Sequence, residues 1–191
     1  NMVIEFSGAC IDSLSMESRM TICNMAIEAG ATCGICAPDR TTVDYLWPFI
    51  RSEFHSPEDA LNSYRSLVSD PDAAYEATLE IDARELEPLV TFGYKPDNVR
   101  TVREMEGTPV DQVYIGSCTG GKLTDFVAAA TVLAGRSVKV PTYIVPATVE
   151  VDAALDQTSV CHKTLREVFQ QAGCHIGPAS CAACLGGPID T

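Results

Sequence analysis

No run of apolar residues in this sequence approaches the roughly 20 that a membrane-spanning helix requires. Residues 1–10 show neither a basic start nor a signal-like apolar block. A soluble protein with no membrane partner is expected. Basic residues are scarce: 13 Lys and Arg stand against 26 Asp and Glu, a formal net charge of -13. That charge repels nucleic acid and anionic surfaces, so neither is an expected partner. The chain shows no internal repeat and no low-complexity tract. Neither end carries a tail: the chain opens on strand-like "MVIEF" and stops at "GGPIDT", which reads as a piece of a longer protein.

What is present is enough for a sizeable core. The 191 residues are 46% hydrophobic and suit one large domain or two small ones. Nine cysteines (Cys10, Cys23, Cys33, Cys36, Cys118, Cys161, Cys174, Cys181 and Cys184) are many for this length. An odd count without a secretory signal argues against a disulfide framework and for metal-bound or buried thiols in a reducing compartment.

Along the chain, Met16, Met20, Cys23 and Ile27 fall at helical spacing, with Ser13 or Ser15 to cap the start and Gly30 to end the helix. "TCGICAP" reads as a buried strand, and "TTVDYLW" and "PEDALNSYRSLV" as helices with Thr and Ser-Pro entries. "AYEATLEID" alternates, with Tyr75, Ala77, Leu79 and Ile81 on one side, and predicts a half-exposed strand. "GYKPDNVRTVREMEGTP" reads as a polar connector. Next come a strand in "DQVYIG", a glycine-rich loop, an Ala-rich helix stopped by Gly135 and a strand in "VKVPTYIVPA". That order is a β-loop-α-β unit with parallel strands. Helices are expected over residues 149–156 and 161–171, then loop to the end. The fold class is α/β in two adjoining pieces, residues 1–84 and 85–191.

The loop "YIGSCTGGKLTD" has the glycine and lysine spacing of a phosphate-binding P-loop, but Leu123 stands where the magnesium-holding hydroxyl belongs. Thr124, one residue later, points about 100° further round a helix. Nucleotide binding is therefore set aside, while Gly116, Gly120 and Gly121 still indicate backbone that approaches a ligand closely. Cys118 sits just past a strand's carboxyl end, where ligands of open α/β sheets gather.

A second signal is "SCAAC", with Cys181 and Cys184 in a glycine- and proline-rich loop. The bare C-x-x-C spacing fits one soft metal such as zinc, completed by Cys174 and His175 or by Cys161 and His162. It also fits two corners of an iron-sulfur cluster, a redox dithiol, or thiols with no role. Cys33 and Cys36 repeat the spacing, but within a strand residues three apart face opposite ways, so they read as buried structural thiols, as do Cys10 and Cys23. Asn24 and Glu28 share one helix face, either as a solvated edge or aimed into a site. His55, His162 and His175 lie in polar stretches and read as surface residues.

Taken together, "LSMESRMTICNMAIEAGA", "APDRTTVDYL", "VYIGSCTGGK", "VKVPTYIVPAT" and "CAACLGGP", in that order, resemble the aconitase superfamily. Within it they are most similar to the isopropylmalate dehydratase large subunits. The separation of 63 from Cys118 to Cys181 also looks right for that family. The resemblance implies an aconitase-like three-layer α/β/α fold with mostly parallel sheets. It implies a 4Fe-4S cluster held by Cys118, Cys181 and Cys184, with one iron open to substrate, and Ser117 as a supporting residue of the cluster loop. Asn24 and Glu28 match the polar pair that reaches the substrate hydroxyl, Glu28 handling the proton on that oxygen.

The implied reaction is hydro-lyase isomerisation of a hydroxy-dicarboxylate, 2-isopropylmalate to 3-isopropylmalate in leucine biosynthesis. Homocitrate-type or methylated malates are the alternative substrates, and an inactive metal-binding α/β module the contrasting reading. The family's histidine-containing N-terminal motifs and the arginine stretch beyond the final cysteine pair have no match here. Nor does the serine base, which the resemblance assigns to a small subunit or further domain. This polypeptide alone is therefore expected to be inactive, and to belong in a bacterial cytoplasm or a plastid stroma.

Overall fold

The computed structural model describes residues 2–181. The chain divides into two compact units, Asn1–Glu106 and Gly107–Thr191. The division falls later than the Arg84/Glu85 boundary expected from sequence, and Thr91 and residues 93–96 border the same cavity as Met25 and Glu28.

The first unit runs β1 (Val3–Phe6), α1 (Ala9–Asp12), α2 (Met16–Met25), β2 (Cys33–Cys36), α3 (Arg40–Ile50), α4 (Pro57–Tyr64), β3 (Leu89–Thr91) and β4 (Val99–Thr101). Strands β1 and β2 are parallel, with Val3 opposite Cys33 and Phe6 opposite Cys36. Ser15 starts α2 by accepting the Ser18 N–H at 3.3 Å. The helix tightens into a 3₁₀ turn, Ala26–Ala29, that ends on Gly30 in the left-handed conformation glycine adopts without strain.

The predicted helix is present, but its buried face is not the methionine stripe. Arg19 (3% exposed) and Ala26 are the buried positions, while Ile27 is 64% exposed. Arg19 is tolerated there because its guanidinium donates to Asp39 Oδ2 at 2.7 Å and to the Asp12 carbonyl at 2.9 Å. The other oxygen of Asp39 caps α3, accepting the Thr42 N–H at 3.1 Å while Thr42 Oγ1 accepts the Asp39 N–H at 3.3 Å. So Asp39, not the threonines, begins that helix. Ser56 caps α4 with Pro57 at its first position, as the Ser-Pro entry predicts.

Three expectations for this unit fail. Residues 75–82 form no strand: among the described residues no strand pairs with them, and Leu79 is 82% exposed despite the alternation. The stretch expected to be a polar connector contains β4, which pairs antiparallel with β3. Cys10 and Cys33 are exposed rather than buried, and Cys23 and Cys36 are only half-buried.

The second unit runs β5 (Val113–Gly116), α5 (Ser117–Gly120), α6 (Leu123–Leu133), β6 (Thr142–Val145), α7 (Val149–Ala154), β7 (Ser159–Val160), β8 (Lys163–Thr164), α8 (Leu165–Ala172) and β9 (His175–Ile176). Its sheet is parallel in the order β5-β6-β9, so the predicted β-loop-α-β unit is present. Ile115, Ile144 and Ile176 are in register across the three strands. They join Phe126 and Ala130 of α6, Leu155, and Leu165, Val168 and Phe169 of α8 in one apolar core. Phe126 and Phe169 meet edge to face at 6.1 Å, the geometry that aromatic quadrupoles favour.

Two boundaries here differ from expectation. The last helix starts at Leu165, not Cys161, because residues 159–164 form a hairpin, with Cys161 and His162 at φ 53° and 66° as its two turn residues. Thr164 then caps α8 reciprocally with Glu167. The terminal loop contains a strand pairing, His175 opposite Tyr143, and their rings stack at 5.2 Å. Among the described residues no helix is long and apolar enough to cross a membrane.

Candidate functional site

Parallel strand β5 ends at Gly116, where a side chain is sterically excluded: a Cβ would lie 2.4 Å from the Val145 carbonyl oxygen on β6. The chain then turns sharply through Ser117, whose φ of 74° places a non-glycine residue in the left-handed region. The single turn Ser117–Gly120 leaves Cys118 exposed beyond the strand end. Gly121 closes the turn; a Cβ there would lie 2.4 Å from the Ser117 carbonyl oxygen and 3.1 Å from the Ala147 nitrogen. The Ala147 N–H donates to the Gly121 carbonyl at 3.0 Å, which fastens the loop to the exit of β6.

The same exit fixes the approach of Cys181. Gly177 N–H donates to the Ile144 carbonyl and Ser180 N–H to the Pro146 carbonyl, both at 2.9 Å, so the chain after β9 follows the end of β6. Cys181 thereby reaches Cys118, with which it makes a side-chain hydrogen bond. The hydroxyls of Ser117 and then Thr119, at 3.7 and 3.8 Å from the sulfur, lower the Cys118 thiol below its ordinary value, and Cys181 adds to this against the opposing effect of desolvation. Hydrogen bonds to sulfur favour the thiolate, the form that ligates metals.

Lys122, the lysine of the P-loop-like spacing, braces this loop. Its Nζ donates to the Thr119 carbonyl and lies 3.7 Å from Asp125 Oδ2. Its backbone N–H donates to the same carboxylate at 3.0 Å, starting α6. The lysine that imitates a P-loop thus ties the cysteine turn to the helix behind it, a local Lys-x-x-Asp pattern visible in the sequence.

Among the described residues no group of three or more His, Cys, Asp or Glu is placed to hold a metal ion. Cys118 and Cys181 are brought together, and Cys184 lies outside the described residues. Cys161 and His162 occupy the hairpin turn and His175 stacks on Tyr143. His55, His162 and His175 are exposed, as expected.

Asn24 and Glu28 belong to the first unit and are both exposed. Asn24 lies on α2, but Glu28 lies in the 3₁₀ turn rather than on a continued α-helix. Glu28 and Met25 border an open cavity of about 300 Å³ whose other walls are Thr91, Gly93, Tyr94, Lys95 and Pro96. That second wall is one that the sequence reading missed.

These two α/β units match a known family along their whole length. The chain belongs to the aconitase family: the model described as "Aconitase family (aconitate hydratase)" matches residues 1–109 and 100–191. It is 54% identical over 189 residues to a 3-isopropylmalate dehydratase large subunit of Desulfosudis oleivorans, covering 97% of this chain and 42% of that protein. Against the chloroplastic 3-isopropylmalate dehydratase large subunit of Arabidopsis thaliana it is 46% identical over 195 residues, covering 98% and 36%. Against a probable methanogen homoaconitase large subunit of Methanosarcina mazei it is 42% identical over 183 residues, covering 96% and 43%. The chain thus spans well under half the length of these relatives.

Proposed function

We propose that this chain is the part of a 3-isopropylmalate dehydratase large subunit that carries an iron-sulfur cluster and the polar pair acting on the substrate hydroxyl. The observation that carries this reading is the meeting of Cys118 and Cys181 at the end of a parallel strand, in a loop whose hydroxyls favour thiolate. Two soft sulfur donors, Cys118 on a glycine-framed turn and Cys181 on the segment after β9, fit a cluster, and Cys184 would supply the third ligand. When bound, a three-cysteine 4Fe-4S cluster supplies an open, Lewis-acidic iron.

The chain's own residues would then hold and discharge the hydroxyl. Asn24 would hydrogen-bond the substrate oxygen, and Glu28 would give that oxygen the proton that lets it leave as water and retrieve it when water adds to the neighbouring carbon. Ser117 would favour the thiolate of Cys118 and orient it. The serine that takes the carbon-bound proton would come from a small subunit, which the naming of the relatives as large subunits supports. A plastid stroma or a bacterial cytoplasm is the compartment this reading implies, and the chloroplastic naming of the Arabidopsis relative supports the first. The Methanosarcina relative supports homocitrate-type substrates as the second reading.

The test is the full-length protein carrying this sequence, assembled with its small subunit and assayed on 2-isopropylmalate and homocitrate. Turnover of isopropylmalate that falls at least about a hundredfold in Glu28→Gln is the expected result. Turnover of homocitrate alone would transfer the assignment to the second reading, and full activity in Glu28→Gln would remove that residue from the mechanism.

A further inference from the structure

Cys23 on α2 and Cys36 at the end of β2 have their sulfur atoms 3.6 Å apart. Two features of the fold bring them together. Gly34 and Cys36, two apart on a strand, share a face, and the missing side chain at Gly34 lets α2 settle onto it. A Cβ at Gly34 would lie 2.8 Å from the Cys23 Cα. One helical turn before Cys23, Arg19 is tied to Asp39, three residues beyond Cys36, by the 2.7 Å ion pair. The two sulfurs are therefore held between a backbone contact on one side and an ion pair on the other. Cys33, on the opposite strand face, is exposed.

We propose that Cys23 and Cys36 are a modification site, a thiol pair that hydrogen peroxide converts into a reversible disulfide tying α2 to the end of β2. Their separation exceeds a disulfide bond of about 2.0 Å by some 1.5 Å, a gap that side-chain rotation with a small shift of the helix can close. Both residues are half-buried, which admits a molecule of peroxide's size. One thiolate attacks peroxide: an S–O bond forms, the O–O bond breaks and the departing hydroxide takes up a proton as water. The second thiolate attacks that sulfur: the S–S bond forms, the S–O bond breaks and a second water leaves. Two thiols are oxidised and one peroxide is reduced to two waters. Burial, and then the neighbouring Cys23, push the Cys36 thiol up to about 11, which leaves little thiolate at neutral pH and makes the oxidation slow. Asn24 directly follows Cys23, so closing the bond draws on the helix segment that presents Asn24.

Peptide mapping tests this directly. The purified protein is treated with peroxide, free thiols are alkylated, and the chain is cut after Arg and Glu, which separates residues 20–28 from residues 29–40. The expected product is those two peptides joined through Cys36, with Cys33 alkylated, released by dithiothreitol and absent from Cys36→Ala. Oxidation of the exposed Cys10, Cys33 and Cys161 without the joined pair would overturn the proposal, as would a bridge to Cys33. The wild-type map decides the matter even if the substituted chain fails to fold.

Discussion

The Ser117 carbonyl oxygen occupies the space where a side chain at Gly121 would begin, 2.4 Å from the Cβ position. The turn that presents Cys118 is therefore closed by backbone packing, before any ligand is considered. Gly121→Ala must push Ser117 or Ala147 away and is expected to cost about 1–3 kcal/mol, the usual penalty of overpacking. Gly120→Ala, one residue earlier, meets nothing within 4 Å and is expected to stay within about 0.5 kcal/mol. Denaturant unfolding of the two variants checks the contrast.

The Arg19–Asp39 pair joins α2 to the start of α3, and its two partners differ in burial. The Asp39 side chain is 38% exposed, so water recovers part of the loss when the pair is broken. Asp39→Asn is expected to cost about 1–3 kcal/mol, because it leaves the buried guanidinium without its counter-charge. Arg19→Met removes the charge itself and is expected to cost less, since the carboxylate left behind can hydrate.

The same pair sets an acid limit. Its hydrogen bond from Arg19, and the bond from the Thr42 backbone, hold the Asp39 carboxyl below its ordinary value against desolvation. A carboxyl with a depressed folded pKa stabilises the fold fully above its unfolded value, about 3.9. That contribution is lost as pH falls from there through the depressed value. Unfolding followed between pH 6 and pH 2 is expected to show a loss of stability below about pH 4 that is shallower in Asp39→Asn.

Thiol reactivity distinguishes the cysteine loop from the core. Cys118 is exposed and lowered by the Ser117 hydroxyl, whereas Cys174 is half-buried and raised by that burial. With no metal bound, iodoacetamide at neutral pH is expected to label Cys118 at least about tenfold faster than Cys174. Ser117→Ala is expected to narrow that ratio. Mass spectrometry of timed samples reads both rates.

Much of this arrangement was legible because local chemistry and tertiary packing agree. Gly116, Cys118 and Gly121 mark a strand end, a turn and a close approach in the sequence, and the second unit is built that way. Leu79 and Ile81 mislead because alternation specifies a strand only where a neighbouring strand pairs with it, and among the described residues none pairs with residues 75–82. Arg19 misleads in the other direction: a charged residue inside a helix pattern reads as solvated until a distant Asp39 is known to face it. Cys161 and His162 occupy a hairpin turn that composition assigns to Asn-Gly or Asp-Gly pairs. The cavity wall opposite Glu28 comes from residues more than sixty positions away, a contact that no local pattern records.

The central claim, that Cys118, Cys181 and Cys184 together hold an iron-sulfur cluster, is tested most directly by anaerobic reconstitution of the purified chain with iron and sulfide. The account predicts about four iron and four sulfide per chain, with broad visible absorption, lost when any one of the three cysteines is replaced by serine. Tightly held zinc with no cluster absorption, or a full cluster retained in Cys118→Ser, would contradict it.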